Sequence, residues 1–269
     1  MRLLVRDVYY NIARAGEGAP LVLLHGFTGS VASWQSHIPI FANHFSILAL
    51  DFLGHGKSDA PTEPTRYRIE CCVADLVEIL DQLEIGRAHV LGYSMGGRVA
   101  LHFAHAYPGR IEKLILESAS PGIENETERA ARTVSDARRA EKIEREGVEK
   151  FVEEWANLPL FATQARLPET VRENLKQQRL QNRADGLANS LRGLSVGAQA
   201  SLWDQLPNIR VPTLLLAGQL DPKFSAIAQR MADAMPNARL EIVHEAGHTV
   251  HLEQPARFDE LVLNFLTEI

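Results

Sequence analysis

The sequence holds only two cysteines, Cys71 and Cys72, and they are adjacent. Neighbouring cysteines are poorly placed for a structural disulfide, and no CxxC or Cys/His cluster suggests zinc. They read as two small side chains on a helix. No apolar run approaches the roughly 20 residues of a membrane span. The stretch Met1–Asp7 lacks an apolar core and a small-residue cleavage site, so the expected location is the cytoplasm. Basic charge is also short: 28 Lys and Arg face 34 Asp and Glu, for a net charge of −6. This argues against a nucleic-acid or membrane partner, both of which need a basic face. An anionic ligand must then be held by a few placed cations. Neither G-x-G-x-x-G nor a P-loop is present, so no nucleotide, flavin or metal cofactor is expected.

What remains is a chain of 269 residues, 45% hydrophobic, long enough to bury a full core. Residues 2–14 alternate in polarity and read as an edge hairpin. Short apolar runs follow at 21–24, 47–50, 89–91, 114–116, 213–217 and 240–243. Such runs mark strands buried on both faces. Helical patterns lie between them at 72–83, 95–106, 226–235 and 256–266. Strand alternating with helix predicts an α/β fold with a mostly parallel sheet. The segment 121–205 breaks the rhythm. It is rich in Ala, Glu, Arg and Gln and reads as four helices at about 125–146, 148–156, 168–181 and 184–193. A helical block between strands of a parallel sheet covers the strands' carboxyl ends, where ligands bind. The expected organisation is one core, 1–120 and 206–269, with a helical cap at 121–205.

Gly92-Tyr93-Ser94-Met95-Gly96 fits G-x-S-x-G between a strand and a helix. The tight turn exposes the Ser94 hydroxyl at the sheet edge. A serine needs a base. Asp221 and His248 each follow a later strand, in the order Ser, Asp, His of α/β-hydrolases. His248 would take the Ser94 proton, and Asp221 would hold its tautomer. The loop His25-Gly26-Phe27 follows another strand. It would supply the Phe27 N–H to an oxyanion hole, with the Met95 N–H as the second donor. The Gly-punctuated turn 51–58 reads as a structural element of the site rim. Arg98 lies one helical turn past Ser94, on roughly the same face. On spacing alone it either reaches the pocket or faces solvent. Arg132 and Arg179 lie among many charges, where a solvated face is the ordinary reading.

The finer pattern resembles the 2-succinyl-6-hydroxy-2,4-cyclohexadiene-1-carboxylate (SHCHC) synthases of menaquinone biosynthesis, within the α/β-hydrolase superfamily. The carrying residues are Gly92–Ala100, Glu117–Gly122, Glu128–Arg132, Trp155 with Pro159-Leu160-Phe161, Ser190–Gly193, Gln199, Ser201-Leu202-Trp203, Asp221–Phe224, and Ala246–His251 with Glu253-Gln254-Pro255. Some members have Tyr where this chain has Ala156. The resemblance implies a lyase that expels pyruvate from 2-succinyl-5-enolpyruvyl-6-hydroxy-3-cyclohexene-1-carboxylate without an acyl-enzyme. It implies that Arg98, Arg132 and Arg179 converge on the substrate's carboxylates and that Trp155 forms a pocket wall. The expected partners are this small anionic substrate and pyruvate, with the protein a monomer or small homo-oligomer. A hydrolase of esters or C–C bonds with the same triad is the alternative, and a non-catalytic binding protein is a remote one.

Overall fold

A computed structural model describes residues 1–268. Eight strands form one sheet: β1 (Arg2–Val5), β2 (Val8–Ala15), β3 (Ala19–Leu24), β4 (Phe45–Leu50), β5 (Ala88–Tyr93), β6 (Ile111–Glu117), β7 (Thr213–Gly218) and β8 (Ala238–Val243). Their spatial order is β1-β2-β4-β3-β5-β6-β7-β8. The hairpin β1–β2 joins antiparallel to β4, and every pairing from β4 to β8 is parallel.

The helices are α1 (Ile38–Phe41), α2 (Ile69–Gln82), α3 (Met95–Ala106), α4 (Glu126–Ala156), α5 (Glu169–Leu180), α6 (Ala184–Leu194), α7 (Pro222–Ala234), α8 (Val250–Glu253) and α9 (Pro255–Thr267). Alternation along the strands splits the core in two. Val22, Leu24, Val90 and Leu116 pack with Leu76, Val99, Phe103 and Met231 from α2, α3 and α7. Leu21, Leu23, Leu91 and Ile115 point the other way, onto Trp34 and onto Phe258, Val262 and Phe265 of α9. Each fully buried Leu or Phe contributes roughly 1.5–3 kcal/mol of transfer free energy, so both layers are needed. Cys71 and Cys72 are free thiols on α2. No helix among the described residues is long and apolar enough to cross a membrane.

Between β6 and β7 the chain is helical, as the sequence predicts. α4 is two helices joined at Gly147, whose φ of 86° and ψ of 171° are not helical. That backbone region is essentially restricted to glycine. This segment has its own small core, in which Ile143, Phe151, Val152, Leu187 and Leu191 pack together and Phe27 leans in from the β3 loop. Helix α7 starts four residues earlier than its apolar pattern suggests. Asp221 caps it by accepting from the Phe224 N–H, and Pro222 fills the first turn.

Parallel register lines up the strand ends. Leu24 pairs with Gly92, Tyr93 with Glu117, Glu117 with Leu216, and Gly218 with Val243. The loops after β3, β5, β7 and β8 therefore leave one edge of the sheet together, and Phe27, Ser94, Asp221 and His248 lie on them.

Candidate active site

Ser94 occupies the turn between β5 and α3 with φ 50° and ψ −104°. A non-glycine residue held there is strained. The flanking glycines serve close packing rather than positive φ. A Cβ on Gly92 would lie 2.5 Å from the Gly96 carbonyl oxygen, and one on Gly96 would run into the Leu24 carbonyl. The Ser94 N–H donates to the Glu117 carbonyl at 2.8 Å, which ties the turn to β6.

His248 follows β8 and is 1% exposed. Its Nδ1 lies 2.7 Å from Asp221 Oδ2, and its Nε2 lies 3.2 Å from Ser94 Oγ. A carboxylate only accepts, so Nδ1 carries the proton and the Nε2 lone pair faces the serine hydroxyl. The second Asp221 oxygen is occupied by the Phe224 N–H. Aromatic rings fix the imidazole: Phe224 at 4.4 Å between centroids, Tyr93 at 5.6 Å and Phe161 at 5.9 Å. The Tyr93 hydroxyl and Thr249 Oγ1 are 2.9 Å apart, and Gln164 Nε2 donates to the same Oγ1 at 3.0 Å. One residue of the helical segment thus bonds to the neighbour of His248.

These residues open on a cavity of about 550 Å³. Phe27, Met95, Arg98, Arg132, Trp155 and Lys223 line it with Ser94 and His248. Met95 is the first residue of α3, so its N–H has no partner within the helix. Phe27 lies in the loop after β3, which His25 braces. His25 Nδ1 lies 2.7 Å from the Gly26 carbonyl, and its Nε2 accepts the Phe52 N–H at 3.0 Å. Burial lowers the His25 pKa to about 4, which keeps the ring neutral.

Arg98 donates to the Leu194 carbonyl at 2.8 Å and to the Gln199 side chain. Burial and the nearby Arg132 lower its pKa to about 10, which leaves it charged at neutral pH. Arg132 gives its Nε to the buried Asp136 at 2.6 Å. Its terminal nitrogens have no acceptor among the described residues.

The three arginines do not all line one cavity. Arg179, in the last turn of α5, is not part of the cavity that holds Ser94 and His248. It lines a second cavity of about 410 Å³ with Gln164, Thr249 and His251. The physical reason is Phe161. Its ring faces His248 on one side, and the Arg179 guanidinium stands 5.3 Å from its centroid. Phe27, Tyr93 and Phe161 line both cavities and form the boundary. Arg179 is 6% exposed and has no carboxylate or carbonyl partner among the described residues.

Sequence reasoning quoted Lys223 and Gln199 but gave neither a place in the site. Lys223 lies two residues past Asp221, on the first turn of α7, and that proximity was the available signal. Ser118, next to Glu117 at the end of β6, also lines the cavity, and its buried Oγ has no partner. Only the fold reveals it. Trp155 is a wall of the cavity. It packs edge-on against Phe27 at 5.2 Å and tilted against Phe161 at 5.6 Å.

Residues 19–255 match the alpha/beta hydrolase fold family. The chain is 46% identical over 264 residues to a Bacillus subtilis (strain 168) protein named provisionally as a 2-succinyl-6-hydroxy-2,4-cyclohexadiene-1-carboxylate synthase, covering 97% of this chain and 96% of that one. It is 37% identical over 242 residues to the synthase of that name from Salmonella agona (strain SL483), covering 89% and 90%. Among solved structures, MenH from S. aureus superposes with a TM-score of 0.91 at 37% identity, covering 96% of this chain and 97% of that one.

Proposed function

The chain belongs to the α/β-hydrolase fold family and, within it, to the SHCHC synthases, and from that premise we propose that it eliminates pyruvate from 2-succinyl-5-enolpyruvyl-6-hydroxy-3-cyclohexene-1-carboxylate. The observation that carries this reading is the pairing of an aligned Ser94–His248–Asp221 set with Arg98 and Arg132 in one cavity. An ester hydrolase needs the first and has no use for the second.

The ring proton beside the succinyl carbonyl is the acidic one. His248 Nε2 draws the proton from Ser94 Oγ, and the serine oxygen takes the ring proton. The electron pair moves onto the succinyl carbonyl oxygen, where the Phe27 and Met95 amides receive the charge. Collapse of this enolate pushes electrons through the ring double bond. The carbon–oxygen bond to the enolpyruvyl group breaks, and the departing enolate takes up a proton to become pyruvate. Asp221 stabilises the imidazolium that forms in between. No acyl-enzyme arises, and no cofactor is invoked.

Arg98 and Arg132 hold substrate carboxylates in this scheme, since guanidinium forks suit carboxylates better than ammonium groups do. Arg179 lies across the Phe161 boundary and serves a carboxylate only if the ligand reaches past that ring. Trp155 forms the apolar wall against the cyclohexene. Residues 121–205 act as a cap on the core formed by 1–120 and 206–269, and the enzyme works in the cytoplasm. The test is direct: supply the enolpyruvyl compound and follow pyruvate release with the rise of diene absorbance. Rapid turnover of short-chain esters with none of the enolpyruvyl compound would overturn the lyase reading.

A further inference from the structure

We infer that Glu253 is a positioning residue that sets the location of His248 through the backbone on either side of it. His248 stands in the connection between β8 and α8, outside regular structure. Such segments move unless their amides are tied down. Here one carboxylate ties both neighbours. Glu253 Oε2 accepts the Gly247 N–H at 2.8 Å, and Oε1 accepts the Thr249 N–H at 3.2 Å. Hydrogen bonds from amides to an ionised carboxylate are among the stronger ones. The Glu253 N–H in turn donates to the Thr249 carbonyl at 2.9 Å, which closes a ring around the segment.

An ordinary helix cap accounts for only half of this arrangement. Thr249 is the N-cap of α8, and a first-turn Glu that reaches back to the N-cap amide resembles a capping box. The Gly247 amide lies two residues before the N-cap, outside any cap, so the second oxygen holds the loop on the other side of His248. The clasp needs a fixed base, because α8 has only four residues and is too short to persist alone. His251 supplies the base: its N–H donates to Glu117 Oε1 at 3.0 Å, and its Nδ1 lies 2.8 Å from Oε2 of the same carboxylate. The Glu117 backbone carbonyl also receives the Ser94 N–H. Nucleophile and base are therefore referenced to one rigid point, Ser94 through the main chain and His248 through α8 and Glu253.

This inference rests on His248 serving the proposed elimination, so its test has one readout that needs no substrate. Compare Glu253→Gln and Glu253→Ala with the parent and with Gln254→Ala, which alters the adjacent side chain and leaves the clasp intact. Glutamine keeps the volume but can accept only one of the two amides well. We expect kcat to fall roughly 10- to 100-fold, the size of effect that a displacement of about 1 Å produces. KM and thermal midpoint should stay close to those of Gln254→Ala. The downfield proton resonance of His248 Nδ1–H, read without substrate, should shift or broaden in both Glu253 variants. An unmoved resonance together with a kcat equal to that of Gln254→Ala would overturn the assignment. A parent that ignores the enolpyruvyl compound would sink the lyase reading, and the resonance would still decide the role of Glu253.

Discussion

All ten histidines lie outside residues 121–205, whereas that segment carries 13 basic and 14 acidic side chains. The sheet edge and the helices above it use polar groups in opposite ways. At the edge they are buried and mostly paired, Asp221 with His248 and Phe224 and Glu117 with His251, Ser118 Oγ being an exception. In the helices they pair mostly at the surface, as Arg192 with Glu144 and Arg183 with Asp185 do. Surface pairs are screened by salt and hold little in place. The chemistry thus sits where atoms cannot drift. Of the cations that line the cavity, Arg132 comes from the helical segment and Arg98 from the elbow helix.

The largest expected effect breaks the rigid side alone. Ser94→Ala should lower kcat by roughly 10³-fold or more, since members of a catalytic set fail together. The fold should remain, because Ser94 holds its turn through main-chain bonds to Glu117 and Arg98 rather than through its hydroxyl. Circular dichroism and a thermal melt beside the pyruvate assay check both halves. Residual activity within tenfold of the parent would remove Ser94 from the mechanism.

Arg98 tests the contact between the two regions, since it starts on α3 and donates to Leu194 and Gln199 above. Arg98→Ala should cost about 3 kcal/mol of transition-state binding, or roughly 100-fold in kcat/KM, for the anionic substrate. A neutral short-chain ester, if turned over at all, should lose only a few-fold. Equal losses on both substrates would mean that Arg98 acts by holding the helices down and not by meeting a carboxylate.

The two regions also differed in how far they could be read from sequence. At the sheet edge, strand, glycine and triad order are local signals. They located Ser94, Asp221 and His248 because parallel strands must deliver their carboxyl ends to one edge. The helices 125–146 and 148–156 were legible too, since Gly147 interrupts an otherwise helical composition. Where the arginines face was not legible. Arg132 and Arg179 both follow helical spacing among charges, and nothing in that spacing places the Phe161 ring between them. The short helix α8 was also missed. Its side-chain contacts are with Glu117, across the fold, and through Glu253, which bends back on a loop, and neither is visible in local spacing.

Acid should unsettle the histidine-bearing core before the helices. Burial lowers the pKa of His25 to about 4 and of His55 to about 3, and the charge of His25 adds to the shift at His55. In the unfolded chain both return to about 6.5. Above that value both states are neutral and nothing is lost. Below it the unfolded chain binds protons that the native core refuses, so stability falls as pH drops toward 4. Between pH 7 and pH 5 the loss should be about 2 kcal/mol per histidine. Urea midpoints at the two values check this, and equal midpoints would refute it.

The smallest effect belongs to the helical segment. At Gly147 a Cβ has room: its only near neighbour is Glu149 Oε2 at 3.3 Å, the end of a flexible side chain. The obstacle is the backbone, held at φ 86° and ψ 171°. Gly147→Ala should therefore cost about 1–3 kcal/mol, all of it conformational. Relief comes by straightening α4, which would move Trp155 relative to Arg132 across the break. KM for the anionic substrate should then rise a few-fold while kcat stays near the parent value, because Ser94 and His248 lie on the other region. A fall in kcat with KM unchanged would show that the break in α4 is coupled to the triad, and the division of labour between the sheet edge and the helical segment would fail.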